Sequence, residues 1–191
     1  MLGFLSLLLW AQLAQEEGVK ITLENTRFED GKTEKWETRI MKLENKLRIE
    51  DTYPGTEEVC EVIIWDGKQC RLFIPNHKPQ IIPPIRNGLE FIGFKEKVKE
   101  KGVKWEIDAK QLPLKKETRH GITTYEEWTK IKNFGYFPAK IEKYGSPRNR
   151  DRERTLQREL KNVDDEAELS NELFDPRLIE FSEEIKKFYK E

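Results

Sequence analysis

Hydrophobic and polar residues alternate with a period of two along most of this chain. The clearest stretch runs from Gly18 to Glu50. Val19, Ile21 and Leu23 alternate with Lys20, Thr22 and Glu24, and Asp30-Gly31-Lys32 follows as a turn. Lys35 to Leu43 then runs back, with Trp36, Thr38 and Ile40 on one face and Glu37, Arg39 and Met41 on the other. Glu44-Asn45-Lys46 turns the chain again into Leu47, Arg48, Ile49 and Glu50. Alternation bounded by Asp-Gly and Asn turns predicts an antiparallel meander of three strands.

The later segments read as additions to that sheet. Val59 to Trp65 is mostly apolar and β-branched, which predicts a strand covered on both sides. Asp66-Gly67-Lys68 returns it as Gln69 to Ile74, and Pro75 ends the hairpin because proline cannot donate to a ladder. Pro75 to Arg86 mixes four prolines with Ile81, Ile82 and Ile85, and reads as an apolar loop: a strap on the core or a mobile gate. The period changes over Gly88 to Lys101, which predicts one amphipathic helix stopped by Gly102. Strand signals resume at Val103, Trp105 and Ile107, then across Thr118 to Ile131 and Phe137 to Tyr144, with Pro138 at a strand start or edge. Gly145 to Arg152 reads as a solvated turn, Arg154 to Val163 as a strand, and Asp164 to Glu172 as an acidic stretch. Asp175-Pro176 opens a closing helix over 176–190, with Leu178, Phe181, Ile185 and Phe188 as its stripe. The total is about nine to eleven strands with no βαβ alternation, an α+β chain with an antiparallel sheet. Sheets this long curl, and helices against the inner side of a curled sheet enclose apolar volume.

Charge changes the picture little. The chain has 35 basic and 36 acidic residues, a net charge of -1, and so no general attraction to nucleic acid. Charged residues make up 37% of it, above the usual quarter or so, as in the ion-pair-rich surfaces of thermophile proteins. Met1 to Gln15 is different: it carries no charge, and Leu5 to Trp10 is nearly all apolar. That run is shorter than the roughly 20 residues a spanning helix needs. It fits the apolar part of a secretory signal peptide over 1–15 with cleavage near Ala14, leaving 16–191 as a single domain. No basic residue precedes the run, and Gln12 stands where a small residue is usual, so an uncleaved cap or short anchor is the alternative. Cys60 and Cys70 flank the Asp66-Gly67 turn out of register for a disulfide, and read as two small buried hydrophobes.

Catalytic chemistry fails on inventory. None of Ser6, Ser146, Ser170 and Ser182 has the context of an activated nucleophile. His77 and His120 lie far apart without metal-ligand spacing, and no glycine-rich phosphate loop occurs. We expect no enzyme activity, no metal and no cofactor. Arg48 is the one charge that stands out, alone between Leu47 and Ile49 in a strand. It reads either as an outward arginine or as one at a cavity mouth, closing it or meeting an anionic headgroup. Lys143 to Arg154 is a basic run without interleaved aromatic residues, and reads as a solvated turn rather than a phospholipid-headgroup or nucleic-acid contact. Trp36, Trp65, Trp105 and Trp128 fall in predicted strands, as core or as cavity lining. Ile40, Ile64 and Phe91 join them and Arg48 as candidate lining residues of a hollow.

The turns and strand ends together carry a resemblance. They are Asp30-Gly31-Lys32, the Leu47-Arg48-Ile49-Glu50 strand, the hairpin from Val62 through Asp66-Gly67-Lys68 to Pro75, Phe137-Pro138-Ala139-Lys140-Ile141, and Glu172-Leu173-Phe174-Asp175-Pro176. From Gly18 to Pro176 the chain resembles the LolA-like group of periplasmic proteins, the outer-membrane lipoprotein-sorting proteins and their relatives. The resemblance implies a curved antiparallel half-barrel with helices on its concave face and an apolar hollow that carries acyl chains. It implies a periplasmic or secreted, non-catalytic protein, with a lipid or acylated lipoprotein as ligand and an inner- or outer-membrane envelope protein as partner. Arg48 matches a strand arginine that in lipoprotein carriers helps hold the closed state. The chain departs from the pattern in leaving little room for a helix before Val19. Two functions follow: a carrier of an apolar ligand, or an interaction module whose hollow is filled by its own Trp and Phe and whose contact is Ile81 to Ile85.

Overall fold

The structure, a computed structural model, describes residues 16–94, 102–145 and 153–189. The predicted signal segment, most of the polar turn before Arg154 and the later half of the predicted helix lie outside those residues. Eleven strands form one antiparallel sheet among the described residues. The first six are β1 (Glu16–Glu29), β2 (Lys32–Leu43), β3 (Lys46–Thr52), β4 (Val59–Trp65), β5 (Cys70–Phe73) and β6 (Gln80–Ile82). The other five are β7 (Lys104–Ile107), β8 (Pro113–Thr118), β9 (Gly121–Ile131), β10 (Gly135–Tyr144) and β11 (Arg154–Leu169). Their order is β6-β5-β4-β3-β2-β1-β11-β10-β9-β8-β7, so every neighbour follows the chain except the central pair β1–β11. The predicted meander is present. Its first turn places Asp30 and Gly31 at φ 47° and 74°, the conformation that a two-residue hairpin loop requires.

Alternation assigns each strand two faces. On one, Ile21 stands beside Ile40, Ile40 beside Ile49, and Ile49 beside Ile63. We call this the Ile21 face. Its core joins Val19, Ile21, Leu23, Ile40, Leu47 and Ile49 to Phe134 and Phe137. On the Met41 face, Met41 and Leu43 pack with Ala167, Leu169 and Phe174, and Val62 and Ile64 pack with Phe73. The sheet curls toward the Ile21 face. Asp51 and Glu61 lie three and four strands from Arg158, about 14 and 19 Å across a flat sheet. Their charges nevertheless act on that guanidinium.

Three segments differ from the sequence expectation. Within the described part of the helix predicted over Gly88 to Lys101 there is a single turn, α1 (Gly88–Phe91), capped by Asn87. It stops because Gly93 turns the backbone to φ 75°. The closing helix predicted over 176–190 is split. A 3-10 turn (Pro176–Leu178) leads through an extended link to α2 (Glu183–Phe188), which Ser182 caps by accepting from the Ile185 amide. Ile185 is fully buried, while Leu178 and Phe188 of the same predicted stripe are 57% and 56% exposed. The acidic stretch is largely strand, since β11 continues to Leu169 along β1. Within the proline-rich strap, Gln80–Ile82 forms the edge strand β6. Cys60 and Cys70 are buried free thiols. Trp65 pairs with Cys70, which makes the loop longer than a tight turn and puts the two sulfurs on opposite faces.

Candidate functional site

On the Ile21 face, neighbouring strands are apolar at one end and polar at the other. Along β1 the series Val19, Ile21, Leu23 continues as Asn25, and β3 runs Leu47, Ile49, Asp51. On β4 Trp65 and Ile63 give way to Glu61, and on β11 Leu160 gives way to Arg158. Antiparallel register brings these ends together, pairing Asp51 with Thr38 and with Glu61, and Asn25 with Arg158. The face is therefore an apolar floor that opens into a polar mouth.

The floor is roofed by the strap and α1. Ile85 and Phe91 pack down on it, and the Phe91 ring stacks 5.5 Å from that of Phe137. Small polar contacts hold the roof at its rim. Lys42 Nζ donates to the Arg86 carbonyl at 3.0 Å, and the Gly88 amide donates to the Phe134 carbonyl at 3.2 Å. The Arg86 guanidinium lies 5.9 Å from the Trp65 ring and pairs with Glu90 at 2.8 Å. Gly88 fits because it has no side chain: a Cβ there would meet the Tyr136 carbonyl at 2.2 Å. Burial lowers the Lys42 ammonium, and Glu90 partly restores it.

The mouth holds a cavity of about 600 Å³, with Trp36, Asp51, Tyr53, Glu61 and Tyr189 in its wall. Arg27 stands over the Trp36 ring at 5.5 Å and pairs with Glu34 at 3.3 Å. Asn25, fully buried, donates to Thr38 Oγ1 at 2.9 Å, and Thr38 in turn donates to Asp51. Burial raises the Asp51 and Glu61 carboxyls, while Arg158 pulls both down. A second cavity of about 80 Å³ lies beside the roof, where Phe91, Ile92, Tyr125 and Ile141 surround Lys143 and Arg158. Among the described residues no group of three or more His, Cys, Asp or Glu side chains is placed to hold a metal ion.

The sequence-predicted residues divide between the faces. Ile40, Trp65 and Phe91 belong to the floor and roof, and Trp36 to the mouth. Trp105 and Trp128 flank Tyr125 in an aromatic row at 6.0 and 6.3 Å, and Trp128 Nε1 donates to the Pro113 carbonyl. Arg48 and Ile64 face the other way. Arg48 is neither a solvated arginine nor one at a hollow's mouth. It pairs with Glu50 at 2.6 Å and donates to the Leu173 carbonyl at 2.8 Å, with both charged side chains nearly covered at 15% and 12% exposure. Ile64 packs with Val62 and Phe73 on that same face. Sequence reading missed Asn25, Asp51, Glu61 and Arg158, and met Lys143 only as the start of a basic run. The signal was a polar residue standing in the apolar phase of a strand, as Asn25 does after Val19, Ile21 and Leu23.

No family model matches the chain, and no curated protein matches it. Solved structures do. A LolA superfamily protein from Nitrosomonas europaea aligns over 91% of this chain and 98% of its own, with 12% identity and a TM-score of 0.52. A DUF1329 family protein from Desulfovibrio piger aligns over 91% of this chain and 95% of its own, with 10% identity and a TM-score of 0.44. The open curled sheet, its strand order and this coverage agree with the resemblance read from the turns: the chain has a LolA-like fold.

Proposed function

We propose that the protein is a non-catalytic, periplasmic binder of an amphiphile, whose acyl chain lies on the Ile21-face floor in place of the roof. The observation that supports this most is the form of the roof. A floor of Ile21, Leu23, Ile40 and Ile49 is covered by one strap and a single helical turn held through rim contacts. Burying an acyl chain contributes about 0.8 kcal/mol per methylene, so a chain of ordinary length outweighs the few polar contacts that opening breaks, at about 1 kcal/mol each. An acylated lipoprotein presents the same chemistry as a free lipid, and handing it on calls for a second envelope protein. Among the described residues no helix is long and apolar enough to cross a membrane.

A second reading rests on the closed state itself. Phe91, Phe134 and Phe137 already fill the apolar half, which suits an interaction module that needs no ligand. Native mass spectrometry with organic extraction, on protein recovered from the periplasm, separates the two. The carrier reading expects co-purifying lipid masses that Ile49→Asp removes. A clean protein mass, with added fatty acids and phospholipids failing to bind, would sink it in favour of the module.

A further inference from the structure

We propose that Lys143 and Arg158 form the head site of that amphiphile and that the head is a carboxylate, an assignment that rests on the carrier reading above. The two cations sit on adjacent strands of one face. Ile141 pairs with Arg158 and Lys143 with Leu156, so the charges are diagonal neighbours. Lys116 lies on the same face two strands from Lys143, through Thr123. It is drawn to the Trp105 ring at 5.0 Å.

These cations are only partly compensated. Arg158 Nε is buried with no hydrogen-bond partner. The Phe91 ring lies 5.6 Å from its guanidinium, and the charges of Asp51 and Glu61 act on it across the curled sheet. Lys143 has less: its surroundings, Arg158 and Lys116 all lower its ammonium, and among the described residues no carboxylate acts against them. Arg158 is half-buried and Lys143 exposed beside it, and like charges side by side on one sheet face are unfavourable unless an anion joins them. The cavity between them is about 80 Å³, and among the described residues the rest of its wall, apart from Thr123, is Phe91, Ile92, Tyr125 and Ile141. With the roof in place, that is room for a small anionic group such as a carboxylate. A carboxylate also matches the planar fork of a guanidinium.

Position joins the head site to the chain site. Phe91 roofs the floor and also covers Arg158. Lifting α1 therefore uncovers the apolar floor and the cationic pair in one movement, side by side, as a fatty acid requires.

The test compares hexadecanoate with hexadecanol on the full chain, by tryptophan fluorescence and calorimetry. The wild type is expected to bind the acid at least about tenfold more tightly than the alcohol, the worth of one charge-assisted hydrogen bond. Lys143→Met and Arg158→Gln should each reduce that preference and leave alcohol binding unchanged. Lys143→Met should also raise the thermal midpoint, since it removes a like charge beside Arg158, which shows that the variant folds. Equal binding of acid and alcohol by the wild type overturns the head site and leaves the carrier standing. A preference that survives both substitutions overturns the assignment to these residues. Acetate binding as tightly as hexadecanoate makes this a site for small free carboxylates and overturns the amphiphile. Binding of neither long-chain compound overturns the carrier, and the head site with it.

Discussion

The two faces of the sheet are covered by two different kinds of segment. The Met41 face is covered by the C-terminal chain. Phe174 is 2% exposed within the Met41 cluster, Ile179 and Phe181 pack on Val62, Ile64 and Phe73, and Ile185 is fully buried. Arg48 fixes that chain through the Leu173 carbonyl, and Asn76 Nδ2 does so through the Lys186 carbonyl at 2.8 Å. Phe188 stacks on Tyr53 at 4.6 Å. The Ile21 face is covered by the strap and a one-turn helix, anchored by Ile85 and Phe91 and rimmed by single polar contacts. One cover is built like core. The other is built like a clasp, the form that the proposed ligand would displace.

The largest expected effect falls on the core-like cover. Phe174→Ala should cost about 3–5 kcal/mol, read by urea denaturation, because the cavity left among Met41, Leu43 and Leu169 cannot collapse. A loss below about 1 kcal/mol would make both covers clasps. Next, Arg48→Met leaves the Glu50 carboxylate covered and unpaired and the Leu173 carbonyl without its donor, and should cost about 1–3 kcal/mol. Adding Glu50→Gln should recover part of that loss. On the clasp side the numbers are smaller. Lys42→Met removes one hydrogen bond worth about 1 kcal/mol but also removes a partly buried cation. Its global stability should stay near wild type while amide exchange at Gly88 speeds up.

The smallest effect is a titration. Asp175 accepts from both the amide and the guanidinium of Arg177, which hold its carboxyl at about 2, below its ordinary 3.8. The stabilisation it gives the C-terminal cover is complete above the ordinary value and is lost as pH falls through about 2. Carboxyl NMR should find that midpoint, and Arg177→Ala should return it toward 3.8. Asp51 and Glu61 at the mouth have the opposite sign. Burial raises both, so their ionisation opposes folding, and that opposition grows as pH rises above the ordinary carboxylate range.

The sheet was legible because each of its signals is local. Asp30-Gly31, Glu44-Asn45 and Asp66-Gly67 mark turns, and the alternation from Val19 to Leu23 fixes which side chains share a face. The helices were misread because periodicity over Gly88 to Lys101 carries no term for Gly93 at positive φ. The stripe from Leu178 to Phe188 was misread for a related reason: Ile179, Phe181 and Ile185 are buried by tertiary contacts that do not need a continuous helix. Half of the site was visible as Trp36, Ile40, Trp65 and Phe91. The polar half was not, because Asp51, Glu61 and Arg158 come from strands remote in sequence and meet only when the sheet curls. Arg48 was singled out rightly as unusual, but its partner Leu173 lies 125 residues away.

Hydrogen exchange on the full chain with and without hexadecanoate tests the central claim most directly. A ligand that takes the roof's place should lower the protection of the Gly88 and Phe91 amides, which donate to the Phe134 and Asn87 carbonyls. The Leu173 and Lys186 amides of the C-terminal cover, which donate to Ser170 and Ser182, should be unchanged. Bound hexadecanoate that left Gly88 and Phe91 as protected as before, or that acted on Leu173 and Lys186 instead, would contradict a ligand site on the Ile21 face.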